Sequence, residues 1–167
     1  MEIKLLNIED AELYRELRLK SLKENPEAFL TTFEIEVAKP IEQVQQNLKP
    51  NNSRFTLGAF NVNELVGIVT FVRENNPKTI HRGNIYAMYV LPKFRGEGIG
   101  KGLIKELVKR ATQCDGLELI HLTVISNNIA AKRLYESVGF TVYGTERNAL
   151  KYGDRYWDEE LMVLQLN

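Results

Sequence analysis

The chain has 167 residues, of which 44% are hydrophobic, and this favours a single globular domain over residues 1–167. Its 22 lysine and arginine residues balance 22 aspartate and glutamate residues, so the composition provides no general positive field for nucleic acid or an anionic membrane. No sustained apolar run follows Met1, and we therefore expect no signal peptide, no membrane span and a cytoplasmic location.

The first part of the chain predicts one strand and two helices. The strand covers residues 3–6, and the first helix starts after Asp10, a favourable N-cap residue. Asn25-Pro26 ends this helix, because the residue before proline disfavours the helical region. A second helix is predicted over residues 40–48, where apolar residues recur on one face.

The middle of the chain predicts three strands. Residues 54–60 and 65–72 are rich in β-formers and are separated by a short polar segment, which indicates an antiparallel hairpin. Residues 85–91 are apolar at nearly every position, which is typical of a strand covered on both faces. This third strand is therefore predicted to lie at the centre of the sheet.

The last part of the chain alternates helices and strands. A helix is predicted from its apolar stripe of Ile99, Leu103, Ile104, Leu107, Val108 and Ala111. A strand at 119–125, a helix at 128–138 ended by Gly139, and strands at 142–146 and 161–166 follow. The order β-α-α-β-β-β-α-β-α-β-β predicts a mixed α/β fold.

A glycine-rich turn joins the central strand to the following helix, with the sequence Arg95-Gly96-Glu97-Gly98-Ile99-Gly100-Lys101. Such a turn points successive backbone N–H groups and the positive end of the helix dipole at one spot, which favours an anion. The three glycines are expected to adopt dihedrals closed to other residues and to admit a diphosphate, while Arg95 adds a charge-assisted contact.

Two common glycine-rich loops do not fit this turn. The Walker loop requires glycine where Arg95 stands and serine or threonine where Gly102 stands. The dinucleotide fingerprint requires a third glycine, which in its two possible registers would fall on Lys101 or Leu103. The pattern therefore excludes both of these nucleotide sites.

Two motifs in chain order resemble those of the GNAT superfamily of N-acetyltransferases. The first is Arg95-x-x-Gly98-x-Gly100, and the second spans residues 124–140 and contains Asn128, Leu134-Tyr135 and Gly139-Phe140. Residues 18–29 also look like the opening helix and loop of many members, so the resemblance covers nearly the whole chain. It implies a mostly antiparallel central sheet in which one parallel pair of strands splays apart, with flanking helices.

The resemblance also implies a set of roles around acetyl-CoA. The main chain of the turn would hold the pyrophosphate, Tyr89 and Val90 would offer strand-edge hydrogen bonds to the pantetheine arm, and Asn128 would contact this arm from the facing side. A backbone N–H near Val90 would stabilise the thioester oxyanion, and Tyr135 would protonate the departing thiolate. The residues implied for cofactor binding are Tyr89, Val90, Arg95, Gly96, Glu97, Gly98, Ile99, Gly100, Lys101 and Asn128.

The general base and the acceptor site stay open at this point. Residues 84–91 contain no acidic side chain, so Glu34, Glu36, Tyr86 or a chain of water molecules are the alternatives for the base. The segment 150–160 is rich in aromatics and carboxylates and is predicted to join the last two strands as a loop suited to an amine. No histidine, cysteine or acidic residues follow a metal-ligand spacing, and we expect no metal.

The leading hypothesis is an acetyl-CoA-dependent N-acetyltransferase that passes the acetyl group to a primary amine of an unidentified small molecule or peptide by direct attack. The main alternative is a non-catalytic acetyl-CoA-binding regulatory module, which the absence of an acidic residue from positions 84–91 permits. A phosphate-binding protein unrelated to CoA would not need both Asn128 and Tyr135. We expect no nucleic-acid or membrane partner, and a homodimer only by analogy with the family.

Overall fold

The computed structural model describes all residues from 1 to 167 and contains one seven-stranded sheet with helices packed against it. The strand order is β1-β2-β3-β4-β5-β7-β6, and all neighbours are antiparallel except β4 and β5. The predicted fold class and the central place of β4 are confirmed. The strands are β1 (Glu2–Leu5), β2 (Arg54–Asn61), β3 (Glu64–Arg73), β4 (Arg82–Val90), β5 (Leu119–Ile125), β6 (Thr141–Tyr152) and β7 (Arg155–Gln165).

Five α-helices accompany the sheet, one more than the sequence pattern indicates: α1 (Ala11–Glu24), α2 (Phe33–Val37), α3 (Ile41–Leu48), α4 (Ile99–Ala111) and α5 (Ile129–Val138). Helix α2 has only five residues, which is too short to show a helical repeat, and it begins where the Thr32 hydroxyl accepts a hydrogen bond from the N–H of Ile35. No helix is both long and apolar enough to cross a membrane.

The start of α1 differs from the prediction. Asp10 does not cap α1 with its side chain; its carboxylate instead accepts a hydrogen bond from the N–H of Asn7, at 2.9 Å. The Asn7 side chain accepts in return from the N–H of Glu9, so this reciprocal pair caps the short 3-10 turn Ile8–Asp10 that leads into α1. At the end of α5, Gly139 has the predicted left-handed conformation, with φ of 113°.

The predicted apolar stripe of α4 packs on the sheet. Leu103, Ile104 and Leu107 have no exposed surface, and fully burying each side chain stabilises the fold by about 1.5–3 kcal/mol. Val108 is only partly buried, and the lysines of the helix face solvent. This packing fixes α4 against β2 and β3, so the glycine-rich turn at its start has a fixed position relative to β4.

The prediction that β4 is covered on both faces is wrong for its middle. Tyr86 is 52% exposed, and Ala87 and Met88 are only partly buried. The cause is a bulge, because the register with β3 shifts between the pairs Thr70↔Tyr86 and Ile68↔Tyr89. Ala87 has a φ of 57° within this bulge, which bends the strand away from regular pairing.

The predicted splay between the two parallel strands is confirmed. Strands β4 and β5 pair only at their beginnings, where Arg82, Gly83 and Asn84 face Leu119, Ile120 and His121. Strand β5 continues beside β7 up to Ile125, but it makes no further pairs with β4. A gap therefore opens between the carboxyl ends of β4 and β5.

The last two strands are longer than the sequence pattern predicts. Most of segment 150–160, predicted as a connecting loop, belongs to β6 and β7, which pair as far as Tyr152↔Arg155. Only Gly153 and Asp154 form the turn, where Gly153 has a φ of 61°. The aromatic and acidic side chains of this segment are therefore held on a hairpin, because the tight turn lets pairing continue to its end.

Candidate active site

The glycine-rich turn leaves open space in front of α4. Gly96 and Gly98 have φ values of 81° and 82°, and Gly98 is the N-cap residue of the helix. A Cβ atom on either glycine would meet no other atom within 4 Å. The backbone of this turn is thus accessible to a ligand, and the positive end of the α4 dipole lies behind it.

Gly100 has a different role from the one predicted. It lies inside α4 without a positive φ, so the expectation that it needs a special dihedral is wrong. A Cβ atom here would lie 2.7 Å from Leu134 Cδ1 and 3.0 Å from Met88 Cε. Gly100 therefore permits close packing of α4 against α5 and β4. Of the other turn residues, Glu97 and Lys101 are exposed and Ile99 is buried.

The main chain of Val90 faces the gap. The N–H of Leu91 donates to the carbonyl of Val66 at 2.8 Å, so Leu91 points toward β3. Val90 pairs with Gly67, and the alternation of an antiparallel ladder turns its N–H and C=O to the opposite side. By the same alternation, the main chain of Tyr89 points to Ile68 of β3.

The side chains of Arg95 and Tyr89 pack together at the end of β4. The Nε–H of Arg95 donates to the carbonyl of Val90 at 2.8 Å, and its guanidinium lies 5.4 Å from the centre of the Tyr89 ring. The Tyr89 hydroxyl donates to Glu24 Oε2 at 2.7 Å. Burial, followed by this contact with Glu24, raises the pKa of Tyr89 to about 12. The side chain of Arg95 is thus engaged with β4, while the N–H of Val90 points into the gap.

Asn128 stands on the opposite side of the gap, directly after β5. Its N–H donates to the carbonyl of Ile125, and its side-chain Oδ1 accepts from the N–H of Ala131 at 3.2 Å. The capping contact uses the oxygen of the amide and leaves its NH₂ group without a protein partner. Asn128 is exposed, so this donor is accessible.

Tyr135 is the one buried residue of α5, with 7% of its surface exposed. Its ring packs edge-on against Phe140 with 6.0 Å between the centroids. Burial raises the pKa of the Tyr135 hydroxyl above the ordinary value of 10.0, so the group keeps its proton at neutral pH. Its neighbour Leu134 lies against Gly100, which places this side of α5 beside the start of α4.

Residues 13–140 match the family model described as "Acetyltransferase (GNAT) family". The chain belongs to this family. Its members are generally N-acetyltransferases that use acetyl-CoA. The match includes the glycine-rich turn, the end of β4 and the whole of α5.

The names of curated relatives specify different amines. The chain is 35% identical over 83 residues to the L-methionine sulfoximine/L-methionine sulfone acetyltransferase of Salmonella typhimurium, covering 49% of this chain and 47% of that protein. It is 24% identical over 138 residues to the L-amino acid N-acetyltransferase AaaT of Escherichia coli, covering 81% and 83%. The spermine/spermidine N(1)-acetyltransferase of Bacillus subtilis is 32% identical over 56 residues, covering 34% and 37%.

Solved structures share the whole fold of this chain. An acetyltransferase of the GNAT family from Streptococcus pneumoniae superposes with a TM-score of 0.81 over 99% of both chains, at 21% identity. The yncA protein from Salmonella typhimurium, solved with its cofactor acetyl-CoA, gives a TM-score of 0.81 over 100% of this chain and 94% of that chain, at 22% identity.

Two cavities of the protein lie near Phe29. The larger, of about 400 Å³, lies between the end of α1, the segment leading into α2 and the β6–β7 hairpin, and it contains Phe29, Tyr152 and Trp157. The smaller, of about 230 Å³, lies between α1, α2, α3 and the strands β2 to β4, and it reaches Tyr86 and Ala87 in the bulge of β4.

The structure separates the candidate bases. Glu36 and Tyr86 line the smaller cavity, whereas Glu34 lines the larger one. Glu36 lies in α2; its Oε1 accepts from the Thr31 hydroxyl at 3.0 Å and pairs with Lys39 Nζ at 2.8 Å. No group of three or more histidine, cysteine or acidic residues is arranged to hold a metal ion.

Two arginines of the smaller cavity were missed by the sequence reasoning. Arg18 and Arg54 both line it. The sequence does indicate that Arg18 is on the buried side of α1, because it lies four residues from Tyr14 and four from Leu22, within the apolar face of this helix. A cation on the buried face of a helix is uncommon unless it has a partner. Arg54, at the start of β2, carries no comparable signal.

Proposed function

We propose that this chain is an acetyl-CoA-dependent N-acetyltransferase that transfers the acetyl group to a primary amine by direct attack. The observation that carries the proposal is the gap between β4 and β5, into which the N–H of Val90 points and beside which the open turn at Gly98 starts α4. A strand edge next to a helix N-terminus suits a ligand with both amide groups and phosphates.

Acetyl-CoA would occupy both parts of this site. Its pyrophosphate accepts hydrogen bonds from the turn, with Gly96 and Gly98 giving the closest approach and Lys101 adding charge at the rim. Its pantetheine arm lies in the gap, where the free NH₂ group of Asn128 serves as donor. In this proposal Tyr89 acts by holding Arg95 and the end of β4 in position, since its own main chain pairs with β3.

The reaction requires a neutral amine, a donor for the oxyanion and a proton for the leaving group. The amine nitrogen forms a bond to the thioester carbon, and the N–H of Val90 stabilises the resulting oxyanion. The C–S bond then breaks, and Tyr135 gives its proton to the CoA sulfur. The proton lost by the amine goes to the Glu36 carboxylate or, through the Tyr86 hydroxyl as a relay, to water; both residues line the cavity at the β4 bulge. No covalent enzyme intermediate forms, so Cys114 has no part.

The names of the relatives do not decide the acceptor, because they include amino acids, an amino acid analogue and polyamines. The smaller cavity nevertheless supports transfer over the regulatory alternative. A module that only sensed acetyl-CoA would need the gap and the turn, but not a further cavity at the bulge of β4.

The deciding experiment incubates the protein with acetyl-CoA and separate pools of amino acids, polyamines, aminoglycosides and peptides, and follows release of the CoA thiol. An N-acetyltransferase releases thiol above the hydrolytic background with at least one pool, and mass spectrometry finds the acetylated amine. If acetyl-CoA binds but no pool gives release, the regulatory module is the better description.

A further inference from the structure

The smaller cavity carries an excess of positive charge. Its charged lining residues are Arg18, Arg54, Lys39 and a single carboxylate, Glu36. Glu36 is already paired with Lys39 at 2.8 Å. Neither arginine forms a salt bridge with any residue of the chain. Two guanidinium charges at the same cavity therefore have no salt-bridge partner.

Both guanidinium groups also contain buried donors that are unused. Nη1 of Arg18 and Nε of Arg54 are shielded from solvent and have no hydrogen-bond partner. An unsatisfied buried donor is costly, and more so when it carries charge. Burial lowers the pKa of Arg18, with Tyr14 and Glu36 opposing this effect, but arginine stays protonated in proteins. The cavity thus offers positively charged donors with no protein partner, which favours an anion.

The surrounding fold holds the two arginines in place. The guanidinium of Arg18 lies 4.6 Å from the centre of the Phe29 ring. Arg54 is fixed at the start of β2, where its N–H donates to the side chain of Asn51 at 2.9 Å. Phe29 also lines the larger cavity, so the contact between Arg18 and Phe29 lies between the two cavities.

We propose that the smaller cavity binds the carboxylate of the acceptor, and that the acceptor is an α-amino acid or a similarly compact amino carboxylate. This inference rests on the proposed N-acetyltransferase function. Arginine presents paired N–H donors that match a carboxylate, and such charge-assisted contacts are the stronger ones. With its carboxylate beside Arg18 and Arg54, the amine of the acceptor faces the bulge at Tyr86 and Ala87, which line the same cavity.

The same charges disfavour other amines. A polyamine places a second cation near two uncompensated arginines, which is repulsive. The terminal amine of a peptide has an amide where an amino acid has its carboxylate, so it leaves the buried donors without an anion. The cavity therefore selects for a negative charge close to the reacting amine.

A binding experiment that does not depend on turnover tests the site directly. N-acetyl-L-amino acids and the matching N-acetyl-L-amino acid amides are titrated by calorimetry into the protein saturated with CoA. We expect the acids to bind at least tenfold more tightly than the amides, and this preference to be lost in Arg54→Gln and Arg18→Gln. Arg54→Lys keeps the charge without the paired donors and should retain part of the preference. Equal affinity of acids and amides for the unaltered protein would overturn the inference.

Kinetics give a second readout. With an amino acid acceptor, Arg18→Gln and Arg54→Gln should raise the KM for that acceptor at least tenfold with little change in kcat, because the carboxylate is held equally in the ground and transition states. The decarboxylated amine should be insensitive to both substitutions. Arg110→Gln removes an arginine that pairs with Glu106 on α4, away from both cavities, and serves as the control.

Stability controls separate folding from binding. In the absence of ligand, Arg54→Met should raise the melting temperature, because it removes a buried Nε donor that has no hydrogen-bond partner. A lower melting temperature for this variant would show that Arg54 has a structural role and would contradict the inference.

The two proposals fail differently. Thiol release with polyamines alone, unaffected by either arginine substitution, would refute the carboxylate site and leave the acetyltransferase function standing. Arginine-dependent binding of the acids without thiol release from any pool would support the anion site and refute the function.

Discussion

Tyr135 keeps its proton because it is buried on the inner side of α5, and this is the property required of a catalytic acid. The role assigned to it depends on the hydroxyl alone. Its ring also packs against Phe140, so a substitution that keeps the ring separates chemistry from packing.

Tyr135→Phe should lower kcat by about 100-fold or more while acetyl-CoA affinity changes little, since a positioned acid acts mainly in the transition state. Steady-state kinetics and calorimetry measure the two quantities. Tyr143→Phe, at an exposed position of β6, is the matched control and should keep full kcat. A thiolate is already a fair leaving group, so a donor with a more acidic thiol than CoA should restore part of the rate. Full kcat in Tyr135→Phe would leave Tyr135 as a packing residue.

The pH dependence of kcat follows from the same burial. The folded-state pKa of Tyr135 lies above its ordinary value of 10.0, so the protonated form persists up to at least that pH and is lost only as pH rises through the raised pKa. We therefore expect kcat to show no alkaline decline up to about pH 10. An alkaline decline near pH 8 that disappears in Tyr135→Phe would contradict the raised pKa.

Gly98, in the turn before α4, can be compared with Gly153, in the turn between β6 and β7. Gly98 and Gly153 both have positive φ values, and a Cβ atom at either would meet nothing within 4 Å. Valine at either position introduces strain of about 1–3 kcal/mol. Only at Gly98 does the new side chain also enter the proposed phosphate site.

Gly98→Val should therefore weaken acetyl-CoA binding strongly, whereas Gly153→Val should lose a similar amount of stability and keep its affinity. Calorimetry on the folded variants checks this, with thermal unfolding as the measure of strain. Arg95→Ala should weaken binding much less than Gly98→Val, because the Arg95 side chain is engaged with Val90 and Tyr89, while the turn offers its whole main chain to the ligand. The opposite ranking would assign phosphate binding to the arginine side chain.

The gap between β4 and β5 predicts different hydrogen-exchange rates for two neighbouring backbone amides. The N–H of Val90 points into the gap, whereas that of the next residue, Leu91, is already bonded to Val66. In the absence of ligand, hydrogen exchange measured by NMR should be fast at Val90 and slow at Leu91. Acetyl-CoA should slow exchange at Val90 and change Leu91 little. Strong protection of Val90 in the free protein would mean that its N–H already has a partner.

Ligand binding should be visible in the stability of the whole molecule, because the proposed site joins β4, α4 and α5. Acetyl-CoA at 100 times its dissociation constant adds about 2.7 kcal/mol, which corresponds to a rise in melting temperature of about 5–10 °C for a chain of this size. ATP and NAD at the same concentration should raise it far less. An equal shift with all three would indicate an unspecific anion site at the turn.

Local patterns in the sequence determined much of this protein. The apolar stripe of α4, the strands from β1 to β5 and the glycine end of α5 follow from spacing and turn chemistry, which depend on neighbouring residues only. The two motifs around Gly98 and Tyr135 indicated the family by their resemblance to the motifs of its known members. Helix α2 was missed because five residues give no period, and β6 and β7 were predicted too short because pairing, not pattern, carries them to Gly153.

Only the tertiary structure determines which residues line the proposed acceptor site. The bulge at Ala87 exposes Tyr86, although the apolar run around it indicates a strand buried on both faces. Arg18 and Arg54 are 36 positions apart in sequence, and the packing of α1 on the sheet places them beside one cavity. Sequence spacing reports which residues share a face of one element. It does not report which charges from different elements are buried together without a partner, because that depends on how the elements pack.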